Sequence, residues 1–438
     1  MNPRLCSPII ALLAFGTAVG LAQTSNGGEH WVATWAASPQ QPRGPIAARP
    51  PAAAVQVNGV QQAAAPAPPP PVSSFNNQTL RMIARASIGG RRIRVHLSND
   101  FGAAPLTIGA AHVALRSKES AIVEGSDRVL KFSGRASCVI PPGAQMISDP
   151  VDLNVPALGD LAISIYLPGD TGPATQHATG LHTGYISKAG DFTSALSLAD
   201  ATTSQSWFIA AGADVLAPPD SFAIVAFGDS ITDGATSTPD TNHSWPSLLS
   251  ERLQANPGTA RIAVINEGIS GNRVLKDGAG VSALARFDRD VIGQAGAKWV
   301  VILESINDIG QTLRDGANPA DALTADDLIA GLRQLIERAH THDIKVIGAT
   351  LTPYQGAAYY SDKGEEVRMA INQWIRTSKE FDAVVDFDAA TRDADNAKTI
   401  RADYNIRDHL HPNDAGYKAM ADAFDLSWFA PVRAVRAQ

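Results

Sequence analysis

The chain has 438 residues, 45% of them hydrophobic, and a formal net charge of −7. That length suggests two or three domains, with apolar material for a core in each. The mild acidity offers no Lys/Arg cluster for nucleic acid, and no apolar run beyond the extreme N-terminus reaches membrane-spanning length.

Residues 1–22 have the plan of an export signal: Arg4, a short apolar run from Ile9 to Val19, and small residues before Gln23. The expectation is cleavage after Ala22 and a secreted or periplasmic mature chain. Cys6 would leave with this segment, so Cys138 stays alone and no intrachain disulfide can form. Cys138 itself reads as a small buried hydrophobe rather than a nucleophile.

Residues 29–216 favour strands. In "RRIRVHLSND", Ile93, Val95 and Leu97 alternate with Arg94, His96 and Ser98, the period of a half-buried strand. "DLAISIYLPGD" repeats the pattern, and Gly89-Gly90, Asn99-Asp100 and Pro168-Gly169-Asp170 punctuate such runs as turns. Many short strands without a long amphipathic helix predict an all-β sandwich. Trp31 and Trp35 are expected in its core or at a domain boundary. His177 and His182 read as surface or capping groups in a loop, reaching a substrate only if this domain leans over the site. The stretch 39–71 is crowded with Pro, Ala and Gln and reads as a solvated, PPII-like loop. A Pro-rich ligand for a partner is the alternative reading.

From residue 221 to 438 strands and helices alternate. Strand candidates are "FAIVAFG", "RIAVINEG", "KWVVILES", "IKVIGATL" and "FDAVVDFD"; helix candidates are "SWPSLLSERLQA", "ADDLIAGLRQLIERAHTH", "EEVRMAINQWIRTSKEF" and a final one over 414–429. Near-continuous apolar strands between helices predict an α/β fold with a parallel sheet covered on both faces. Ligands of such sheets bind at the carboxyl ends of the strands. Four loops there carry unusual residues: Gly228-Asp229-Ser230; Gly268 to Asn272; Glu304 to Asp308; and Asp408 to His411.

Singly each loop has a bland explanation, such as a helix cap at Asp229 or a positive φ at Gly271. Together they are chemically complementary. A serine hydroxyl needs a base, an imidazole supplies one near neutral pH, and a carboxylate fixes its tautomer. Asp408 and His411 are three apart, close enough for one turn to join them. The backbone N–H groups of Ser230 and Gly271 and the Asn307 amide could bind a developing oxyanion.

The blocks "GDSITDG", "GISGN", "SIND" and "DHLHPN", in this order, resemble the SGNH subgroup of the GDSL hydrolases. The resemblance covers the second half of the chain. It implies a flavodoxin-like α/β/α domain and a covalent acyl-enzyme route to ester hydrolysis, with no metal and no cofactor. By the same resemblance the catalytic residues are Ser230, Asp408 and His411, and the oxyanion hole is Ser230, Gly271 and Asn307. The β-rich half is similar to a domain attached to some secreted bacterial members. One position departs from the family pattern: Ser305 stands where glycine is usual. If that position needs a positive φ, Ser305 brings strain or displaces Asn307; otherwise its hydroxyl is free to line the pocket. The expected partner is a small-molecule or polysaccharide ester with a short acyl group.

Two other readings are open to the same residues. "GDSITD" also fits the Gly-Asp-x-x-Asp signature of two-metal phosphoesterases, with His409 and His411 as ligands. The further ligands of such a site, an upstream Asp-x-His and an Asn-His pair, are missing. A glycan-binding protein with a silent hydrolase domain is the other reading, for which Ser305 is the one warning sign.

Overall fold

The structure is a computed structural model that describes residues 28–42 and 73–429. The export signal, Cys6 and most of the Pro/Ala-rich stretch lie outside the described residues.

The second half holds five parallel strands, Phe222–Gly228, Ile262–Gly268, Ala297–Leu303, Lys345–Ala349 and Ala383–Val385, one for each apolar run. In space the second strand lies outside the first, giving the order 2-1-3-4-5. The strands are buried almost throughout, as a sheet covered on both faces requires. Helices Trp245–Ala255, Ala325–Thr341 and Asp362–Thr377 match three of the expected ones. Thr324 caps the second of these by a reciprocal bond with Asp327. The last helix is shorter than expected. It spans Asp414–Asp422, with a separate 3₁₀ turn at Leu426–Phe429. This is the flavodoxin-like strand order, as expected. It reverses between the first and third strands, and a crevice opens at their carboxyl ends.

The N-terminal region is β-rich, with two main antiparallel sheets and two short antiparallel strand pairs among the described residues. One main sheet is built on His30–Ala36, Ala210–Ala217, Gly90–Ser98 and Val151–Val155; the other centres on Gln78–Arg85, Asp160–Leu167 and Ala110–Lys118. Ile93, Val95 and Leu97 are buried, while Arg94 and His96 between them are only half-buried. Residues of both sheets join one apolar cluster, among them Val32, Trp35, Val95, Ile163 and Val215. Asp160–Leu167 is buried on both faces instead of alternating. Its Ser164 accepts a hydrogen bond from the fully buried Arg81, which also donates to the carbonyls of Ser120 and Ala195. Burial pushes the Cys138 thiol up to about 11, so it stays protonated at neutral pH.

The two halves share a seam. Ala33 N–H donates to the Ala295 carbonyl at 2.8 Å, and Ser87 Oγ accepts from Val264 N–H at 2.7 Å. Ala33 and Ala36 belong to the apolar cluster of the parallel sheet, and Ala223 and Ala263 to that of the β-rich region. The Pro-rich stretch was expected to be solvated from Pro39 onward, but its start is not. Gln40 is buried and exchanges backbone hydrogen bonds with Gln176, because the chain is still docked on the seam there.

Candidate active site

The first strand ends at Gly228, and Asp229 then caps the short helix Ser230–Asp233 by accepting from Ile231 N–H at 2.9 Å. Gly268 ends the neighbouring strand beside Gly228. A Cβ on Gly268 would lie 2.3 Å from the Asp233 nitrogen, so only glycine allows this approach. The turn presents Ser230, whose Oγ is 2.8 Å from His411 Nε2. His411 Nδ1 is 2.7 Å from Asp408 Oδ2. The other oxygen, Asp408 Oδ1, accepts from the backbone N–H groups of Leu410 and His411 at 3.0 and 2.9 Å. Those two bonds fold the Asp-x-x-His turn. Partial burial would raise the Asp408 pKa, but hydrogen bonds from the His411 ring and from the two backbone groups hold it at about 2.

The loop after the second strand is tied on both sides of Gly271, which has φ +82°. Before it, Ser270 donates from its N–H and its hydroxyl to Asp233 Oδ2, at 2.9 and 2.6 Å. After it, the Asn272 carbonyl accepts from Asn307 Nδ2 at 3.0 Å. That bond uses one of the two amide hydrogens of Asn307. Tyr359 O–H donates to Asn307 Oδ1 at 3.4 Å, which sets the same amide orientation.

Asp308, next in the chain, accepts from Val274 N–H at 2.8 Å and pins the far end of the loop. Burial raises its pKa to about 6 despite that bond. The folded chain therefore keeps a proton that the unfolded chain loses near 3.9. Between about pH 4 and 6 the native state binds more protons, so this group's contribution to stability falls as pH rises through that window. Urea unfolding of wild type and Asp308→Asn at pH 4, 5, 6 and 7 checks it. The stability difference should shift against the wild type up to about pH 6 and then level off; a constant difference contradicts the assignment.

Ser305 has φ +108° and ψ −21°, the left-handed side of the map, and is fully buried. The position does need a positive φ, and a serine occupies it. Its hydroxyl has no hydrogen-bond partner and is shut away from solvent, so it does not line an open pocket. Asn307 nevertheless keeps its bond to Asn272, so the strain is borne locally. A non-glycine residue here costs about 1–3 kcal/mol, and an unpaired buried hydroxyl adds a similar amount. Glycine gives back roughly 0.5–1 kcal/mol through the greater freedom of the unfolded chain. Ser305→Gly is expected to stabilise the protein by about 1–5 kcal/mol in urea unfolding. A lower midpoint than wild type would refute it.

Several residues at the site had no sequence signal. Arg286 is fully buried, and all five of its N–H donors are used. They reach the Gly228 and Glu267 carbonyls at 2.9 and 2.6 Å, Asn272 Oδ1 at 2.8 Å, Asp290 Oδ2 at 3.0 Å and Glu304 Oε1 at 3.5 Å. One guanidinium thus joins the ends of the first three strands to the Gly271 loop. Only its i,i+4 spacing to Asp290 was visible in the sequence. His177 and His182 were expected at the surface, yet both are buried. His177 Nε2 lies 3.0 Å from Asp233 Oδ1. Asp233 uses its carboxylate on Ser270 and His177. Asp386 caps the helix Phe387–Thr391, and Asp388 pairs with Arg368 and Arg376, both structural roles. Trp35 packs edge-on against Trp207 at 5.1 Å.

Both ring nitrogens of His411 are hydrogen-bonded, to Ser230 and to Asp408. Among the described residues, no group of three or more His, Cys, Asp or Glu could hold an ion. No described helix is long and apolar enough to cross a membrane.

A serine–imidazole–carboxylate chain stands at the switch point of this sheet, an arrangement that serine hydrolases use. Residues 226–419 match the GDSL-like lipase/acylhydrolase family, which supports a carboxylic ester hydrolase. A putative lipolytic protein of the G-D-S-L family from Desulfitobacterium hafniense is similar in structure (23% identity, TM-score 0.35, 46% of this chain and 96% of that one). So is an acetylxylan esterase from Geobacillus stearothermophilus (24%, 0.38, 48% and 95%). A GDSL-like lipase from Bacteroides thetaiotaomicron shows the same likeness (20%, 0.34, 46% and 84%). No curated protein matches the chain.

Proposed function

We propose that the protein is an exported serine esterase that hydrolyses short-chain acyl esters through an acyl-enzyme. The 2.8 Å contact between Ser230 Oγ and His411 Nε2 carries this reading. His411 takes the Ser230 proton as Oγ attacks the ester carbonyl, and Asp408 stabilises the imidazolium. Ser230 N–H, Gly271 N–H and the second amide hydrogen of Asn307 hold the oxyanion. His411 then protonates the leaving alcohol, and water repeats the sequence on the acylated serine. The residue-1–22 signal supports export, and the two sheets around one apolar cluster support reading residues 29–216 as a sandwich.

A short acyl group is favoured because the Tyr359 ring fills the space over Gly310 beside Asn307. A Cβ on Gly310 would lie 2.4 Å from that ring. Acetylated glycans are the natural esters to try first. The test is turnover of p-nitrophenyl acetate by the purified chain and its loss in Ser230→Ala. No turnover by the wild type would contradict the reading and favour a binding role.

A further inference from the structure

The β-rich region reaches through the seam into the nucleophile's own turn. His177 lies on the short strand Gln176–His177, paired with Trp207–Phe208, and is 4% exposed. Its Nδ1 is 2.9 Å from the Ser38 carbonyl and its Nε2 is 3.0 Å from Asp233 Oδ1. A carbonyl only accepts hydrogen bonds, and so does a carboxylate already receiving two from Ser270. Both ring nitrogens therefore donate, and the pair is an imidazolium facing a carboxylate. Burial opposes that charge, but the facing Asp233, its hydrogen bond and the Ser38 carbonyl outweigh it and raise the His177 pKa above the usual histidine value. The Trp207 ring packs 5.6 Å from the imidazole.

The link continues to the Gly271 loop. Asp233 Oδ2 takes both hydrogen bonds from Ser270, and Thr179, also of the β-rich region, donates to Ser270 Oγ at 3.2 Å. On the far side, Asn272 is held by Asn307 and Arg286. Gly271 has no side chain to anchor it, so the direction of its N–H follows from these two flanking ties. We propose that His177 is a positioning residue for ester hydrolysis: through Asp233 and Ser270 it aims the Gly271 N–H, so that the β-rich region completes the oxyanion-binding loop. The inference rests on reading Ser230 as nucleophile and Gly271 as an oxyanion donor.

A donor misplaced by about an ångström can cost 10²-fold in rate. In the full chain, His177→Ala should lower kcat on p-nitrophenyl acetate by about 10- to 100-fold, with KM within about threefold. His177→Gln can still donate to Asp233 and should recover part of that loss. A kcat within twofold of wild type in His177→Ala overturns the proposal. So does a loss carried by KM, or a Gln variant no better than Ala. Truncating a buried pair can unfold a protein. If His177→Ala does not fold, His177→Leu makes the same test with a side chain that fills the space. Leucine donates nothing to Asp233, so the same kcat loss is expected, and wild-type kcat overturns the proposal. A phosphonate ester that titrates serine nucleophiles separates the two possible failures. Labelled Ser230 with unchanged His177→Ala kinetics removes only the positioning role, whereas an unlabelled wild-type Ser230 removes both.

Discussion

Ser230→Ala is expected to lower kcat for p-nitrophenyl acetate by about 10⁶-fold while leaving the fold intact. The side chain's hydrogen bond goes to His411 Nε2. Its loss therefore breaks no structural network, unlike the loss of Asp233 or Arg286. The remaining donors at Gly271 and Asn307 would still favour a tetrahedral oxyanion, so a residual rate of 10³–10⁴-fold over water is expected. The measurement is kcat of the purified variant, with circular dichroism and Tm matching wild type. A variant that keeps more than about a tenth of wild-type kcat would show that the nucleophile lies elsewhere.

Asp408→Asn is expected to lower kcat by about 10⁴-fold. The reason lies in which carboxylate oxygen does what. Oδ1 accepts two backbone N–H groups, so an asparagine at this position keeps its carbonyl oxygen there and turns its NH₂ toward His411 Nδ1. That NH₂ is a donor and forces the proton onto Nε2, which then faces Ser230 Oγ with a hydrogen and cannot act as base. The backbone turn survives, and so should the substrate affinity. Loss of kcat with KM little changed is the expected outcome. A loss under tenfold would show that Asp408 does not set the tautomer. With its pKa held at about 2, Asp408 remains ionised across the range in which the enzyme would work, so acid inactivation above pH 4 would not come from this group.

Much of the parallel sheet was legible because its strands are buried on both faces. An apolar run such as Phe222–Gly228 or Ala297–Leu303 leaves little doubt about its environment. The four candidate blocks were legible for a related reason: three sit directly at strand ends, and the short-range spacing of Asp408 to His411, in the loop before the last helix, survives in the linear sequence. Gly90–Ser98 showed its alternation because only one face is covered. The order of the strands in space was not written in any local pattern.

What escaped is long-range and electrostatic. His177 reads as a lone loop histidine until the fold brings Asp233, 56 residues away, against its ring. Arg286 reads as a charge on a short helix, yet its acceptors come from five separate positions between Gly228 and Glu304. The satisfaction of a buried cation depends on groups that only tertiary structure assembles. Ser305 falls between these cases. The break in the pattern was visible, but whether it carried strain depended on a φ angle that a sequence does not state.

The most direct test of the account is trapping of the acyl-enzyme. The wild-type chain, mixed with excess p-nitrophenyl acetate and quenched in acid within the first turnovers, should show an added acetyl group by mass spectrometry. Peptide mapping should place it on Ser230, and prior chelation should leave the yield unchanged. An acetyl group on another residue, or turnover that proceeds without any adduct and stops on chelation, would contradict it.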